Sequence, residues 1–364
     1  MYFRLGALIV VSFLFAGCSR KVTSHAFPAR DIIPVSPIHT LDLPGERGPL
    51  QILYLGCGHL VIEYAGETIV TDPFFSIQSF SPGGKIASHP DEFLRYKSLV
   101  SASGLEMKNA KSVLLAHTHY DHMMDLPMLM EDGMLPATTA IYGNSYGEEI
   151  LKNFLSPSQY HSLQLQPVHD REKSRGKWVD STSSIRVLPI LSEHAPHMRI
   201  GPVKIHLMKG GLKSGYFEKT LKTASSRTKQ KTWKEGSVYS FLVDFVRGDT
   251  IEYRIFIQTS ASHFPVGLPA QELLAQRPVD VAVLCLASSN TVKPYPVEML
   301  RALKPQQTVF IHWEDFFERA TFGNYRLVRL TNFRKITKRM AKEGMPLTKD
   351  KFVMPQPGTL ITIK

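Results

Sequence analysis

The chain has 364 residues, 43% of them hydrophobic and 21% charged, with a formal net charge of +11. This apolar content excludes a disordered chain, and the length suits one large α/β domain or two fused halves around a shared core. With 3 cysteines in all, a disulfide framework is excluded too.

The first 18 residues read as an address. Arg4 forms a short basic start, Leu5 to Phe15 an apolar run, and Ala16-Gly17 two small residues directly before Cys18. The run is too short for a spanning helix, which needs about 20 apolar residues. The pattern resembles a bacterial lipobox, with Phe15 where leucine is usual and Cys18 as the lipidated residue. Ordinary secretion is the alternative. Ser19 after the cysteine favours sorting to an outer membrane, so the expected location is the cell envelope, lipid-anchored and facing the periplasm.

Residues 19–49 carry Pro28, Pro34, Pro37, Pro44 and Pro49 with little periodicity, which predicts an extended tether. The globular part is expected to run from 50 to 364. Strands are expected over Gln51 to Tyr54, Leu60 to Tyr64 and Thr68 to Thr71, with a hairpin turn at Ala65-Gly66-Glu67. Further strands are expected over Ser112 to Ala116, Ile185 to Leu191, Val238 to Phe245, Tyr253 to Gln258, Val279 to Leu286 and Thr308 to Ile311. Several are apolar on both faces, as buried strands of layered α/β architecture are. Helices are expected after His122, over Asn144 to Phe154, Pro296 to Leu303 and Leu330 to Glu343. In the last, Val328, Phe333, Ile336 and Met340 make an apolar stripe toward the core.

The segment Lys209 to Gly236 is rich in Lys, Ser, Thr and Gly and is expected to be a basic surface insertion. It and the basic stretch Arg319 to Lys351 offer a surface for anionic lipid rather than nucleic acid in an exported, tethered protein; a solvated face without a partner is the alternative. Cys57 and Cys285 lie in apolar, strand-like contexts and are expected to be separate buried thiols.

The chemistry concentrates in His117-Thr118-His119-Tyr120-Asp121-His122. Imidazole and carboxylate donors are the ligands zinc takes. The i, i+2 spacing of His117 and His119 in an extended loop lets both rings face one ion, while Asp121 and His122 turn toward a second position. Asp72, His194 and His312 each follow an expected strand. Loops leaving strand C-terminal ends are where sites assemble in layered α/β folds, so these residues are candidates for the same edge. His59 and His89 are weaker candidates for the pocket mouth and His197 for substrate contact. Trp313 and Phe316-Phe317 suit the core, with an apolar wall for substrate as the alternative.

These motifs resemble those of the metallo-β-lactamase superfamily of hydrolases. The nearer likeness is to the branch holding ascorbate-6-phosphate lactonase-like enzymes and the phospholipase D of N-acyl-phosphatidylethanolamine. The resemblance rests on Gly56-Cys57-Gly58-His59 leading to Thr71-Asp72-Pro73-Phe74-Phe75, on the 117–122 run, on Glu193-His194, Ile311-His312-Trp313 and the tail Pro357-Gly358-Thr359-Leu360. It implies an α/β fold of the four-layer αββα sandwich type, with metals at one edge. One zinc would be held by His117, His119 and His194, and a second by Asp121, His122 and His312. Asp72 would accept a hydrogen bond from a ligating imidazole and fix its tautomer. A metal-bound hydroxide would attack a phosphodiester, ester or lactone, with a phospholipid among the candidates; manganese and iron suit the same ligands.

One departure bears on the second metal. The family places a bridging aspartate in a Gly-Asp-Thr or Gly-Asp-Ser turn, whereas here Tyr253 to Ile257 leads into Gln258-Thr259-Ser260-Ala261-Ser262-His263. Thr259 takes the aspartate's place and cannot supply its charge. Three outcomes stand open: one metal only, His263 as a substitute ligand, or a metal-binding module without catalysis.

Overall fold

Runs of β-branched and aromatic residues pair into two mixed sheets in the computed structural model, which describes residues 20–78, 84–166, 174–200, 203–206, 208–210 and 221–364. The first is 8-stranded, in the order Ile38–Leu41, Thr359–Ile363, Leu50–Gly56, His59–Tyr64, Glu67–Thr71, Ala110–Leu114, Ala140–Gly143 and Tyr160–Ser162. The second is 7-stranded, in the order Val179–Asp180, Ile185–Ser192, Val238–Arg247, Thr250–Gln258, Val281–Cys285, Gln307–Ile311 and Phe352–Val353. Antiparallel neighbours give way to parallel ones in both: Glu67–Thr71 runs parallel to Ala110–Leu114, and Thr250–Gln258 to Val281–Cys285. A parallel pair needs a crossover, and helix Pro90–Ser103 lies in the first of these connections.

Successive side chains of a strand face opposite ways, and here both faces are buried. Ile52, Ile62 and Ile69 of the first sheet meet Val243, Ile255 and Val283 of the second in a shared core. Their alternates Leu53, Val61 and Val70 pack with Phe93, Tyr96 and Val100 of helix Pro90–Ser103. On the far side Leu242, Phe256 and Leu284 pack with Leu300 and Leu303 of helix Val297–Leu303 and with Phe333, Ile336 and Met340 of helix Phe333–Lys342. Helix, sheet, sheet, helix is the four-layer sandwich that the motifs implied.

Local signals behave as their chemistry dictates. Ala65 and Gly66 both adopt positive φ, 53° and 77°, which closes the expected hairpin. Asn144 accepts the amides of Tyr146 and Gly147 and starts helix Ser145–Leu151, shorter than the stretch expected there. Among the described residues no helix is long and apolar enough to cross a membrane. Residues 1–18, with Cys18, lie outside the described residues, as does 211–220 of the basic insertion.

The tether expectation is corrected. Phe27 and Ile32 are 1% and 2% exposed and join the helix-covered core of the second sheet, while Ile38–Leu41 adds a parallel strand beside Thr359–Ile363. The prolines flank short elements here instead of marking a spacer, because the apolar residues between them find burial. Arg20 already belongs to the domain, since its strand Arg20–Lys21 pairs with Arg326–Leu327. The basic insertion is likewise anchored: Leu221, Ala224 and Trp233 are buried, Trp233 Nε1 donates to Thr228 Oγ1 at 2.8 Å, and Thr228–Lys229 pairs with Lys85–Ile86.

Candidate metal centre

Strands of both sheets end at one edge. Cys57 follows Leu50–Gly56, Asp72 follows Glu67–Thr71, His117 comes after Ala110–Leu114, and His194, Thr259 and His312 come after Ile185–Ser192, Thr250–Gln258 and Gln307–Ile311. His117 and His119 lie in an extended loop, and Asp121 and His122 in the helical turn Tyr120–Met123 that follows it.

His117, His119 and His194 converge, their ligand atoms all within 4.8 Å of one another. His117 Nε2 and His119 Nδ1 stand 3.1 Å apart, and the His194 ring centre is 5.0 and 4.6 Å from theirs. His194 Nδ1 donates to the Ala195 carbonyl at 2.7 Å, which leaves its Nε2 lone pair to face the group. Burial, reinforced by the neighbouring imidazoles, holds His117 and His194 well below the usual histidine range and His119 at about 3. Three neutral nitrogens presenting lone pairs to one point fit a divalent ion.

Beside them a second group gathers, made of Cys57, Asp121 and His312. Asp121 Oδ2 lies 3.4 Å from His312 Nε2 and 3.9 Å from His122 Nε2. Burial raises the Asp121 carboxyl, but His122 and His312 outweigh it and keep the group ionised. His122 lies at the border of the two groups, its ring centre 3.9 Å from that of His117. Burial opposes its protonation, but Asp72 and Asp121 raise it overall. Cys57 and Cys285 are separate buried thiols, as expected, and Cys57 also belongs to this group. Burial, with Glu314 and Asp121 nearby, pushes that thiol well up.

The surrounding hydrogen bonds fix these positions. Asp72 accepts the Ala116 amide at 2.7 Å through Oδ1; through Oδ2 it accepts the Thr259 hydroxyl at 2.6 Å and meets His122 Nδ1 at 2.8 Å. Asp72 thus faces His122, and Thr259 serves Asp72. Glu314 accepts the Cys57 amide and the Tyr54 hydroxyl, each at 2.5 Å, and Tyr54 in turn accepts the His312 amide at 2.9 Å. Asp125 accepts the amides of Phe75 and Ser76 at 2.6 and 2.7 Å and so shapes the loop after Asp72. Thr118 donates its amide to the Glu235 carbonyl at 3.1 Å and its hydroxyl to the Lys234 carbonyl, so the basic insertion grips the loop between the two histidines. None of these roles for Tyr54, Glu314, Asp125 or Lys234 left a signal in the sequence.

His263 does not reach the centre. Its Nδ1 meets Glu193 Oε2 at 2.9 Å near the surface, because the chain stays buried through Ser262 and turns outward only at His263. His59 is buried and satisfied between the Thr71 carbonyl and Tyr96, and His89 is exposed ahead of helix Pro90–Ser103. His197 stacks on His194 with ring centres 4.7 Å apart, beside the three-histidine group. Trp313 is core, with Nε1 donating to the Pro355 carbonyl at 2.7 Å. Phe316 stands 5.2 Å from the His312 ring and packs on Phe74 and Phe317, making one apolar wall of the centre.

No family model and no curated protein matches the chain. Among solved structures it is similar to Igni18, described as a novel metallo hydrolase from Ignicoccus hospitalis, at 12% identity and a TM-score of 0.48, covering 87% of this chain and 99% of that one. It is also similar to the metallo-β-lactamase fold protein YhfI from Bacillus subtilis, at 10% identity and a TM-score of 0.43, covering 85% and 98%. A third is CmlA, a diiron β-hydroxylase from Streptomyces venezuelae, at 12% identity and a TM-score of 0.43, covering 88% of this chain and 54% of that one.

Proposed function

We propose that the chain is a metal-dependent hydrolase of a phosphodiester, ester or lactone, acting at the envelope membrane that anchors it through Cys18. The observation that carries the reading is the convergence of His117, His119 and His194, all kept neutral, beside an ionised Asp121. When bound there, a divalent ion such as zinc is a Lewis acid that polarises a carbonyl or phosphoryl oxygen and acidifies water.

The chain's own groups do the rest. His117, His119 and His194 would hold one ion, and Asp121 and His312, with His122 beside them, a second. Asp121, kept ionised, is placed to orient an attacking water and take its proton. Asp72 fixes the ring of His122. Phe74, Phe316 and Phe317 supply an apolar wall suited to an acyl chain or an organic leaving group.

The anchor gains meaning from the packing of the N-terminal segment. Only Ser19 separates Cys18 from Arg20, which is already paired to the domain, so a lipid on Cys18 would tether the domain through a short spacer. Lys21 and Arg326 pair in that same short ladder and suit an anionic bilayer surface.

The full chain, stripped with chelator, is to be assayed on phosphodiester, lactone, ester and phospholipid substrates with zinc, manganese or iron restored. Turnover that returns with metal in the wild type and fails in His117→Ala is the expected result. Turnover retained in His117→Ala overturns the assignment. A chain that binds metal but turns over nothing on the panel favours a binding module.

A further inference from the structure

We propose that Cys57 is a metal ligand: its thiolate joins Asp121 and His312 around the second ion of the centre, supplying from the other sheet the negative charge that Thr259 does not. This rests on the reading above that the chain binds divalent ions at this edge.

The placement carries the inference. The ligand atoms of Cys57, Asp121 and His312 all lie within 4.8 Å of one another, and thiolate, carboxylate and imidazole are all zinc ligands, with bonds of about 2.0–2.3 Å. All three residues are buried, and His312 Nδ1 has no hydrogen-bond partner among the described residues.

The turn that delivers the sulfur is built at some cost. Cys57 takes a left-handed φ of 49°, which a non-glycine residue seldom adopts, and its amide is held by the Glu314 carboxylate. The next residue must be glycine. A Cβ on Gly58 would lie 2.5 Å from Asp72 Oδ2 and 3.0 Å from both His122 Nδ1 and Thr259 Cβ. The backbone is therefore pressed against the residues that orient the centre, and this brings the sulfur inward. Glu314 also accepts the Tyr54 hydroxyl, and that hydroxyl accepts the His312 amide, so one carboxylate sets the turn of Cys57 and, through Tyr54, that of His312.

Charge completes the argument. The Thr259 hydroxyl donates to Asp72 and offers no anion to a second ion. A thiolate at Cys57 restores that charge. On coordination the sulfur–metal bond replaces the sulfur–hydrogen bond, and one proton passes to solvent for each ion bound. A soft thiolate also biases the position toward zinc or cobalt and away from manganese.

Cobalt(II) added to the stripped full chain tests this, read by bound metal per chain and by the thiolate-to-cobalt charge-transfer absorption in the near ultraviolet. Two ions and the absorption are expected in the wild type and in Cys18→Ser and Cys285→Ser. Cys57→Ser is expected to lose the absorption and bind the second ion at least about 100-fold more weakly. It should keep the first ion, which also shows that it folds. His117→Ala is expected to do the reverse, keeping the absorption while the first ion weakens. Two ions bound without the absorption, or with it intact in Cys57→Ser, overturns the thiolate assignment and leaves the three-histidine site standing. No bound ion in any variant overturns both readings.

Discussion

Asp72→Asn separates the two halves of the centre without changing its shape. The carboxylate accepts from the Thr259 hydroxyl at 2.6 Å and the Ala116 amide at 2.7 Å, and faces His122 Nδ1 at 2.8 Å. Asparagine keeps an oxygen for Ala116 but turns a donor toward His122 or Thr259. Hydrogen bonds to charged groups contribute about 1.5–3 kcal/mol and neutral ones about 0.5–1.5 kcal/mol, so neutralising two of them costs about 2–3 kcal/mol of stability. With an amide N–H against Nδ1, the His122 proton moves to Nε2, the nitrogen that faces Asp121. Loss of such an orienting partner lowers metal affinity by about 10–100-fold, or about 1.4–2.7 kcal/mol. Competition with a chromophoric chelator should resolve a weakened second ion and a first ion changed much less. Equal loss at both positions, or none at either, would refute the division of the centre into two ion positions.

Phe27→Ala should cost about 3–5 kcal/mol in denaturant unfolding, since Phe27 is 1% exposed and meets Phe333 edge-on at 5.8 Å; a loss below about 0.5 kcal/mol would return residues 20–49 to the status of a spacer. Gly58→Ala should destabilise by about 1–3 kcal/mol through overpacking and remove the second ion while sparing the first, as metal analysis would show. Burial raises Glu235 to about 7, partly offset by Lys209 and Lys234, and its Oε2 has no hydrogen-bond partner among the described residues. A raised folded value means stability fully present below the ordinary value of 4.5 and lost as pH rises through about 7. Glu235→Gln should therefore melt higher than wild type above pH 7, with the gap closing toward pH 4.5; a gap that does not change with pH refutes this.

What was legible in the sequence is what is local. The 117–122 run needs no fold to be seen, and the strands announce themselves because both faces of each are buried. The helix Pro90–Ser103 escaped notice because its inner face mixes Phe93, Tyr96 and Val100 with Glu92, a charge made tolerable by Arg319 at 2.6 Å, far along the chain. Prolines hid the packed N-terminal segment, since their spacing says nothing of whether Phe27 and Ile32 find a groove. Cys57 looked like any cysteine in an apolar run; only the convergence of its strand with those before Asp121 and His312 gives its sulfur company.

The strain at the centre follows one logic. Cys57, Asp72 and His312 have φ of 49°, 39° and 54°, values that each cost about 1–3 kcal/mol for a residue with a side chain. Each is held by a buried polar partner: Glu314 for the Cys57 amide, Ala116 and Thr259 for the Asp72 carboxylate, Tyr54 for the His312 amide. Strand ends that turned without strain would carry these side chains along the strand axes and apart. The left-handed turns instead fold each one back toward the seam between the sheets, where Asp121 waits with its charge. A site that accepts left-handed backbone to bring a thiol, a carboxylate and an imidazole together, with Asp121 and His312 3.4 Å apart, suits the cation proposed above.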